Sequence, residues 1–265
     1  MAATSPDTEE KKKLPRTAIV VAATAACLGI IYGYDNGIIG GAQDVFAEDL
    51  GLNTQQTEFV VAAIVYGEII GAIAAGFLVN FWGRKKSMII LTAGYVVFGL
   101  LSAISVNMWM LAGSRIGLGL AIGISLIAVP VFVAESIPAR VRGGTLVLYQ
   151  VMGVCGIILG LLFSLALSGS TWLDSWRIML GLASVPALIL LPVIIKLPET
   201  ARWYVMKGRI AEARTSMALT DPEANADEEI KAIQAANDEE RGGAIKEMLR
   251  KPYARATFFV VGLGF

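Results

Sequence analysis

Residues 109–134 read WMLAGSRIGLGLAIGISLIAVPVFVA, and Arg115 is the one charged residue among them. A helix of about 18–20 apolar residues is long enough to cross the hydrocarbon core of a bilayer. The strands of a membrane barrel alternate between apolar and polar residues, whereas this stretch is apolar almost throughout. It therefore predicts a membrane-spanning α-helix.

Five further apolar stretches have the same character, and a seventh begins near Ala256 and runs to Phe265. Of the 265 residues, 55% are hydrophobic and 17% are charged, whereas soluble domains have about 25% charged residues. We expect an all-α membrane protein with a bundle of six transmembrane helices, at 17–42, 57–81, 88–106, 109–134, 143–168 and 176–197.

The distribution of lysine and arginine predicts which helix ends face the cytoplasm, because short cytoplasmic loops are enriched in these residues. The N-terminal tail and the loops after the second and fourth stretches are basic, whereas residues 43–56 include no lysine or arginine. We therefore expect a multi-pass protein of the cell membrane, surrounded by the lipid bilayer, with its N-terminus in the cytoplasm. The predicted regions are a cytoplasmic tail at 1–16, a transmembrane domain at 17–197, a cytoplasmic helical linker at 198–255 and the start of a seventh membrane helix at 256–265.

The composition argues against several functional classes. The chain has no histidine, and Cys27 and Cys155 lie in separate apolar stretches, so we expect neither a metal site nor a disulfide. No nucleophile–base arrangement is visible in the sequence, so we expect neither an enzyme nor an organic cofactor. The formal net charge is zero, which gives no reason to expect a nucleic-acid partner.

Three ionisable residues, Asp35, Glu68 and Arg115, lie inside predicted membrane helices. Each costs about 2.5–3.5 kcal/mol at the centre of a spanning helix, so such residues usually face a cavity or a partner. From the rise per residue, Asp35 and Arg115 lie roughly 10 Å and 9 Å below the same outer surface, which allows a salt bridge between them. The arginine favours the ionised carboxylate and burial favours the protonated one. The pair therefore fits a proton-binding site, and the alternative is a static structural ion pair.

Two other polar residues in the predicted helices have more than one interpretation. Glu68 is either a second carboxylate for a proton or a substrate, or a protonated residue hydrogen-bonded to a neighbouring helix. Gln150 carries amide donors and an acceptor, which suit a polyhydroxylated ligand but equally a link between two helices. The small residues around Glu68 are spaced for close helix packing, and they are Gly67, Gly71, Ala72, Ala75 and Gly76.

Charged residues also collect at the predicted cytoplasmic ends of the helices. They are Arg84 after the second helix, Glu135 and Arg142 around the end of the fourth, and Glu199 and Arg202 after the sixth. Acids and arginines in such positions can clamp neighbouring helices while that face is closed and separate when it opens. For the Arg84 loop, the alternative is the general enrichment of basic residues in cytoplasmic loops.

Seven short strings and single residues follow one another along the chain. They are GYD at 33–35 with Gly37, GFLVNFWGRKK at 76–86, RIGLG at 115–119, PVFVAESIP at 130–138 with Arg142-Gly143, Gln150, Trp176-Arg177, and PETARW at 198–203. Taken together and in this order, they resemble the sugar porter family of the major facilitator superfamily.

The resemblance implies a proton-coupled symporter for a sugar or polyol that works by alternating access. In such a carrier Asp35 would be the protonatable carboxylate, gated by Arg115, and Gln150 would hydrogen-bond the sugar hydroxyls. The facilitative glucose carriers of the family lack this aspartate, so Asp35 favours symport with a proton as the coupling ion. The cytoplasmic clamp would comprise Arg84, Glu135, Arg142, Glu199 and Arg202.

The chain departs from the family pattern at four places. Phe81-Trp82, Phe132 and Thr200-Ala201 are expected to be tolerated, whereas Glu68 stands where the family generally has a small residue. The family fold has two six-helix halves around a central site, and this chain contains the first half and only the start of the second. We therefore expect the N-terminal half of a longer carrier, with the C-terminal six-helix half as its partner. The alternative is a non-transporting membrane sensor or an inactive truncated half-transporter.

Overall fold

The computed structural model describes residues 14–168, 175–222 and 224–242. Within these ranges the chain forms ten α-helices and no β-strand. In chain order they are α1 (Arg16–Asp49), α2 (Thr54–Trp82), α3 (Arg84–Ala103), α4 (Met108–Ser136), α5 (Ala139–Ser168), α6 (Ser175–Gly181), α7 (Ser184–Lys196), α8 (Ala201–Met206), α9 (Ile210–Thr220) and α10 (Ala226–Gly242).

By length and composition, six helical segments of the described chain can cross a membrane, namely α1 to α5 and the α6–α7 pair. The six predicted spans are therefore confirmed, although several of their boundaries were wrong. The first helix continues to Asp49 instead of ending at residue 42, and Gly51 closes it with a φ of 63°. The third begins at Arg84 instead of residue 88 and ends at Ala103. Backbone hydrogen bonding extends a helix through polar residues up to its cap, so apolar length alone misplaces the ends.

The sixth span, predicted at 176–197, runs from Ser175 to Lys196 but is interrupted by a turn between α6 and α7. Pro186 has no N–H to donate to the carbonyl of Leu182, four residues earlier. That carbonyl instead accepts from Val185 N at 3.2 Å, a tighter turn that interrupts the α-helical pattern.

The first and fifth helices pack with their backbones in contact along glycines. Gly29, Gly33 and Gly37 recur every four residues on α1, and each has backbone atoms of α5 where its side chain would be. A Cβ on Gly33 would overlap the carbonyl oxygen of Gly153. Small residues at such spacing allow close helix packing inside a membrane, where the hydrophobic effect does not drive association.

The second and fourth helices pack in the same way. Gly67 and Gly71 of α2 lie against the backbone of α4, and Gly119 and Gly123 of α4 lie against the backbone of α2. The close packing predicted around Glu68 is thus present for Gly67 and Gly71. It was wrong for Gly76, which is exposed and has open space where a side chain would be.

Large apolar side chains cover much of the outer surface of the bundle. Examples on α2, α5 and α7 are Ile73, Phe77, Leu165 and Ile189, each at least 66% exposed. Soluble monomers rarely expose contiguous apolar surface on this scale. These faces are suited to lipid or to another apolar protein surface.

The predicted linker is helical in the part that the structure describes. It contains α8, α9 and α10, and α10 starts with three acids in its first turn. A small core of its own holds these helices together, formed by Ala201, Val205, Ala213, Met217 and Ile230. The predicted seventh helix at 256–265, the remainder of the linker from 243 and the tail up to residue 13 lie outside the described residues.

Candidate functional site

A buried ion pair joins α1 to α4 in the interior of the bundle. Arg115 Nη1 donates to both carboxylate oxygens of Asp35, at 2.9 Å and 3.1 Å. Only 1% of the Arg115 side chain and 2% of the Asp35 side chain are exposed. The structure brings together the two residues that the sequence places at equal depth.

Glycine packing explains how the two side chains come to face each other. Asp35 lies two residues from both Gly33 and Gly37, which is roughly 200° around the helix. Because α5 covers the glycine face of α1, Asp35 is directed away from α5 and toward α4. Arg115 precedes Gly119 by one turn on α4, at the N-terminal end of the close contact with α2.

Glu68 on α2 is half-buried and belongs to the same electrostatic environment. Its carboxyl group interacts electrostatically with both Asp35 and Arg115, and with the hydroxyl of Tyr32 on α1. Its backbone nitrogen lies beside Gly119. Among the described residues, no hydrogen bond to its side chain is present. Glu68 therefore adds a third ionisable group to the Asp35–Arg115 pair.

Gln150 on α5 is exposed, and within the described ranges it forms no hydrogen bond with Asp35 or Arg115. The preceding residue, Tyr149, is buried in the bundle. The structure thus leaves the Gln150 side chain on an exposed face of α5.

At the predicted cytoplasmic end, Arg84 and Glu135 form a nearly buried ion pair between α3 and α4. Arg84 Nη2 donates to Glu135 Oε1 at 2.8 Å, and Nε lies 2.8 Å from Glu135 Oε2 as an ion pair without hydrogen-bond geometry. Arg84 Nη1 also donates to the carbonyl of Val79 at 3.3 Å. Paired contacts of this kind fix both the position and the orientation of a guanidinium.

Glu199 follows α7 and contacts the backbone at the start of α3. Its carboxylate accepts from Arg84 N at 3.1 Å, from Lys85 N at 3.1 Å and from Thr200 N at 2.9 Å. Burial raises the pKa of the Glu199 carboxyl, while these N–H groups and the charge of Arg84 act in the opposite direction. Gly83 leaves space for the Glu199 carboxylate, because a Cβ at this position would overlap Glu199 Oε2. Its φ of 101° also favours glycine. The sequence indicated an ion-pair clamp, but Glu199 serves mainly as a helix cap.

Thr200 contacts this group of charged residues, a contact that sequence reasoning missed. It is buried, and its Oγ1 donates to Glu135 Oε2 at 2.7 Å while accepting from Trp203 N at 3.3 Å. Thr200 therefore links the end of α4 to the start of α8. Its position at a helix N-cap was the available signal, since threonine is favoured there.

The remaining two arginines of the predicted clamp differ in their placement. Arg202 Nε lies 3.9 Å from Glu135 Oε1, at the edge of ion-pairing distance. Arg142 is exposed and, in the described part of the chain, forms no ion pair with Glu135. Both line a pocket of about 250 Å³ between α4, α5 and the linker helices. We call Arg84, Glu135, Glu199, Thr200 and Arg202 the clamp network.

A second polar cluster, at the opposite end of the bundle, was also missed. Asp49 Oδ2 at the end of α1 accepts from Trp176 Nε1 and from Arg177 Nη2, both at 3.1 Å. Arg177 also stacks on the Trp176 ring at 4.2 Å and donates to the carbonyls of Ala103 and Ser105. The cluster ties together the end of α1, the end of α3 and the start of α6. No short-range pattern links residues that lie more than 120 positions apart in the chain.

The family model for the sugar (and other) transporters matches residues 21–265. The chain belongs to the sugar porter family. This sugar porter is 33% identical over 238 residues to the galactose-proton symporter of Escherichia coli (strain K12), with 89% of the chain and 51% of that protein covered. It is 32% identical over 244 residues to the arabinose-proton symporter of the same strain, with 92% and 51% covered.

A third relative of this sugar porter is the major myo-inositol transporter IolT of Bacillus subtilis (strain 168). The identity is 32% over 256 residues, with 94% of the chain and 53% of that protein covered. The chain therefore spans about half the length of the curated relatives it matches. These relatives are transporters, which agrees with the expectation that the chain is not an enzyme.

A solved structure of the xylose transporter XylE from E. coli, in a partially occluded inward-open conformation, superposes on this sugar porter with a TM-score of 0.77. The sequence identity is 24%, and 85% of the chain and 60% of that structure are covered. The superposition shows a shared fold. The predicted fold class, the N-terminal helical bundle of the major facilitator fold, is confirmed.

Proposed function

We propose that the chain forms the N-terminal, proton-binding half of a symporter that carries a sugar or polyol together with a proton. The observation that carries this proposal is the Asp35–Arg115 ion pair, which is 1–2% exposed and held between two helices of a transporter fold. A buried ionisable pair inside a membrane is costly and usually functional. The names of the galactose-proton and arabinose-proton symporters support the coupling ion, and the myo-inositol transporter supports a polyol as cargo.

Protonation of Asp35 is the step that would couple the proton to movement. The ionised carboxylate accepts two hydrogen bonds from Arg115 Nη1. A proton on Asp35 removes the negative charge that holds the guanidinium, so the attraction between α1 and α4 weakens. The two helices can then change their relative position while the carboxyl group remains neutral.

Gln150 is the proposed contact for the cargo, because its amide can both donate to and accept from hydroxyl groups. Its exposed side on α5 would face a second six-helix half, which is the proposed partner of this bundle. In transporters of this architecture the substrate site lies between the two halves near the bilayer midplane. Rocking of one half against the other would then give alternating access.

The clamp network is proposed to hold the cytoplasmic face of the bundle closed. Arg84, Glu135 and Glu199 join α3, α4 and the start of the linker through charge-assisted contacts of 2.8 to 3.1 Å. We place the N-terminal tail at 1–16 and the linker at 198–255 in the cytoplasm, around a transmembrane domain at 17–197. The segment 256–265 would begin the seventh membrane helix.

The test is uptake in a transport-deficient host that expresses the protein from its complete gene. Cells receive labelled galactose, arabinose, xylose and myo-inositol in turn, with and without an inward proton gradient. Asp35→Asn is expected to abolish accumulation against a gradient while exchange of internal for external sugar continues. Asp44→Asn, on an exposed position of the same helix, is the control and is expected to accumulate normally.

Undiminished uphill accumulation by Asp35→Asn refutes the coupling proposal. The alternative of a non-transporting membrane sensor makes the opposite prediction for the wild type, which would then show no saturable uptake of any of these solutes. Saturable uptake by the wild type excludes that alternative.

A further inference from the structure

The guanidinium of Arg115 has donors that the ion pair does not use. Both hydrogen bonds to Asp35 come from Nη1. Nε is buried and has no hydrogen-bond partner among the described residues. A guanidinium has five N–H donors, and a buried donor without an acceptor is unfavourable. The site around Arg115 therefore favours a second acceptor.

Glu68 is placed to be that acceptor. Its backbone nitrogen lies beside Gly119, and Arg115 precedes Gly119 by four residues, about 6 Å along α4. Since Gly119 and Gly123 have no side chains, α2 approaches α4 closely at this level. An arginine side chain is long enough to cover one turn by a change of rotamer.

The groups that face Glu68 from the helices packed against α2 include one cation. They are Asp35 and Tyr32 on α1, Tyr95 on α3 and Arg115 on α4, each of which interacts electrostatically with Glu68. The two tyrosines are neutral near pH 7. The half-buried Glu68 carboxyl has no hydrogen bond in the described part of the chain. Arg115 is therefore the cation that can neutralise it.

The charge of the site depends on Glu68. With Asp35 alone as partner, the pair is neutral when empty, and protonation of Asp35 leaves an unpaired guanidinium of charge +1. With Glu68 ionised, the empty site carries −1, and binding one proton makes it neutral. A neutral site is easier to move through a region of low dielectric constant than a charged one.

We propose that Glu68 is a second acceptor for Arg115, which takes over the guanidinium when Asp35 binds a proton. The hydrogen bonds from Nη1 to Asp35 break, and new ones form to the Glu68 carboxylate, while the proton stays on Asp35. Glu68 thereby raises the affinity of Asp35 for the proton. This inference rests on the proposed function, in which Asp35 is the proton-binding residue.

The experiment measures the pH dependence of sugar exchange in right-side-out membrane vesicles from cells expressing the complete gene. Glu68→Gln is expected to move the midpoint of the pH profile to more acidic values, by about one unit, because Asp35 then needs roughly tenfold more protons. Glu68→Ala is the second neutral variant, and the same shift is expected. Glu68→Asp keeps the charge and is expected to stay close to the wild type.

Glu58→Gln, at an exposed position of the same helix, is the matched control and is expected to leave the midpoint unchanged. A wild-type midpoint in both neutral Glu68 variants overturns the inference. So does an equal shift in Glu68→Asp, because a variant that keeps the negative charge is expected to keep the wild-type midpoint. If Asp35→Asn still accumulates sugar, the proposed function fails. If Asp35→Asn loses accumulation and the Glu68 variants titrate normally, only the role of Glu68 fails.

Discussion

Arg115 contacts both carboxylate oxygens of Asp35 through one nitrogen, Nη1, at 2.9 Å and 3.1 Å. Arginine–carboxylate pairs that serve as fixed braces frequently use two parallel N–H···O bonds, which add energy and fix the geometry. In the Arg84–Glu135 pair of the same protein, two nitrogens, Nη2 and Nε, lie 2.8 Å from different carboxylate oxygens. The contrast favours an exchangeable role for Asp35–Arg115 over the static structural ion pair.

A contact through one nitrogen can be reproduced by a lysine ammonium. Replacing Arg115 by lysine should therefore have a smaller effect than replacing it by an uncharged residue. We expect Arg115→Lys to retain part of the uphill accumulation, because one positive atom near Asp35 is sufficient. Arg115→Met is expected to lose accumulation and on the order of 3–5 kcal/mol of stability, since a buried carboxylate is left unpaired. Uptake assays and thermal unfolding in detergent measure both effects. Equal loss in the two variants would show that the guanidinium fork is needed.

The close contact between α1 and α5 predicts that the stability of the protein depends on glycine at position 33. In Gly33→Ala the new Cβ overlaps the carbonyl oxygen of Gly153 and lies 2.9 Å from Ile157 N. Overpacking of this kind costs about 1–3 kcal/mol, so we expect a lower yield of monodisperse protein and a lower melting temperature. Gly40→Ala, on the same helix with open space around it, is the control and should behave as the wild type. Size-exclusion chromatography of the detergent-solubilised variants tests this, and equal behaviour of the two variants contradicts the packing.

Two variants of Thr200 separate the contribution of its hydroxyl group to stability from the contribution of its side-chain shape. Thr200→Val is nearly isosteric but loses the bond to Glu135 and the cap of α8. The expected loss is about 1–3 kcal/mol, because a buried carboxylate oxygen loses a donor and a helix loses its N-cap. Thr200→Ser keeps the hydroxyl and is expected to stay within about 0.5 kcal/mol of the wild type. Thermal unfolding of the purified protein compares them, and an unaffected valine variant would show that the contact contributes nothing.

The membrane-spanning part of the fold could be predicted from sequence because bilayer thickness imposes a minimum apolar length. The approach of Asp35 to Arg115 followed from the same logic, since the rise per residue fixes the depth of each side chain. The break between α6 and α7 was missed although Pro186 was visible. A hydropathy profile carries no information about the backbone N–H that a proline lacks.

The contacts that define the helix ends could not be predicted, because they depend on residues distant in sequence. Glu199 caps α3 across more than 110 positions, and Asp49 meets Arg177 across 128. A carboxylate can pair with an arginine side chain or with backbone N–H groups, and composition does not distinguish these partners. Glu199 therefore looked like part of an ion-pair clamp until the structure placed it at a helix start.

The raised pKa of Glu199 predicts how the stability of the clamp network changes with pH. Burial raises the pKa of this carboxyl above its ordinary value of 4.5, so the folded protein holds the proton at a pH where the unfolded chain has released it. Stability conferred by this group is greatest below pH 4.5 and falls as the pH rises through the window above it. We therefore expect the melting temperature of the wild type, relative to Glu199→Gln, to rise as the pH is lowered from 7 to 5. A difference in melting temperature that stays constant, or that falls as the pH is lowered, would show that the Glu199 carboxyl does not cause the pH dependence.

The cluster of Asp49, Trp176 and Arg177 gives a further prediction, because one carboxylate oxygen accepts hydrogen bonds from two adjacent residues. Asp49→Ala removes the acceptor for both Trp176 Nε1 and Arg177 Nη2, whereas Trp176→Phe removes only the indole donor and keeps most of the buried ring. A hydrogen bond to a charged group contributes about 1.5–3 kcal/mol, so we expect Asp49→Ala to destabilise the bundle more than loss of the indole N–H does. Because the Asp49 and Arg177 side chains are about a quarter exposed, part of this effect should disappear at high salt. Unfolding of Asp49→Ala, Arg177→Ala and the double variant, with Asp44→Asn as the exposed control on α1, measures the coupling between the two residues. Additive losses would mean that the ion pair does not brace α1 against α6.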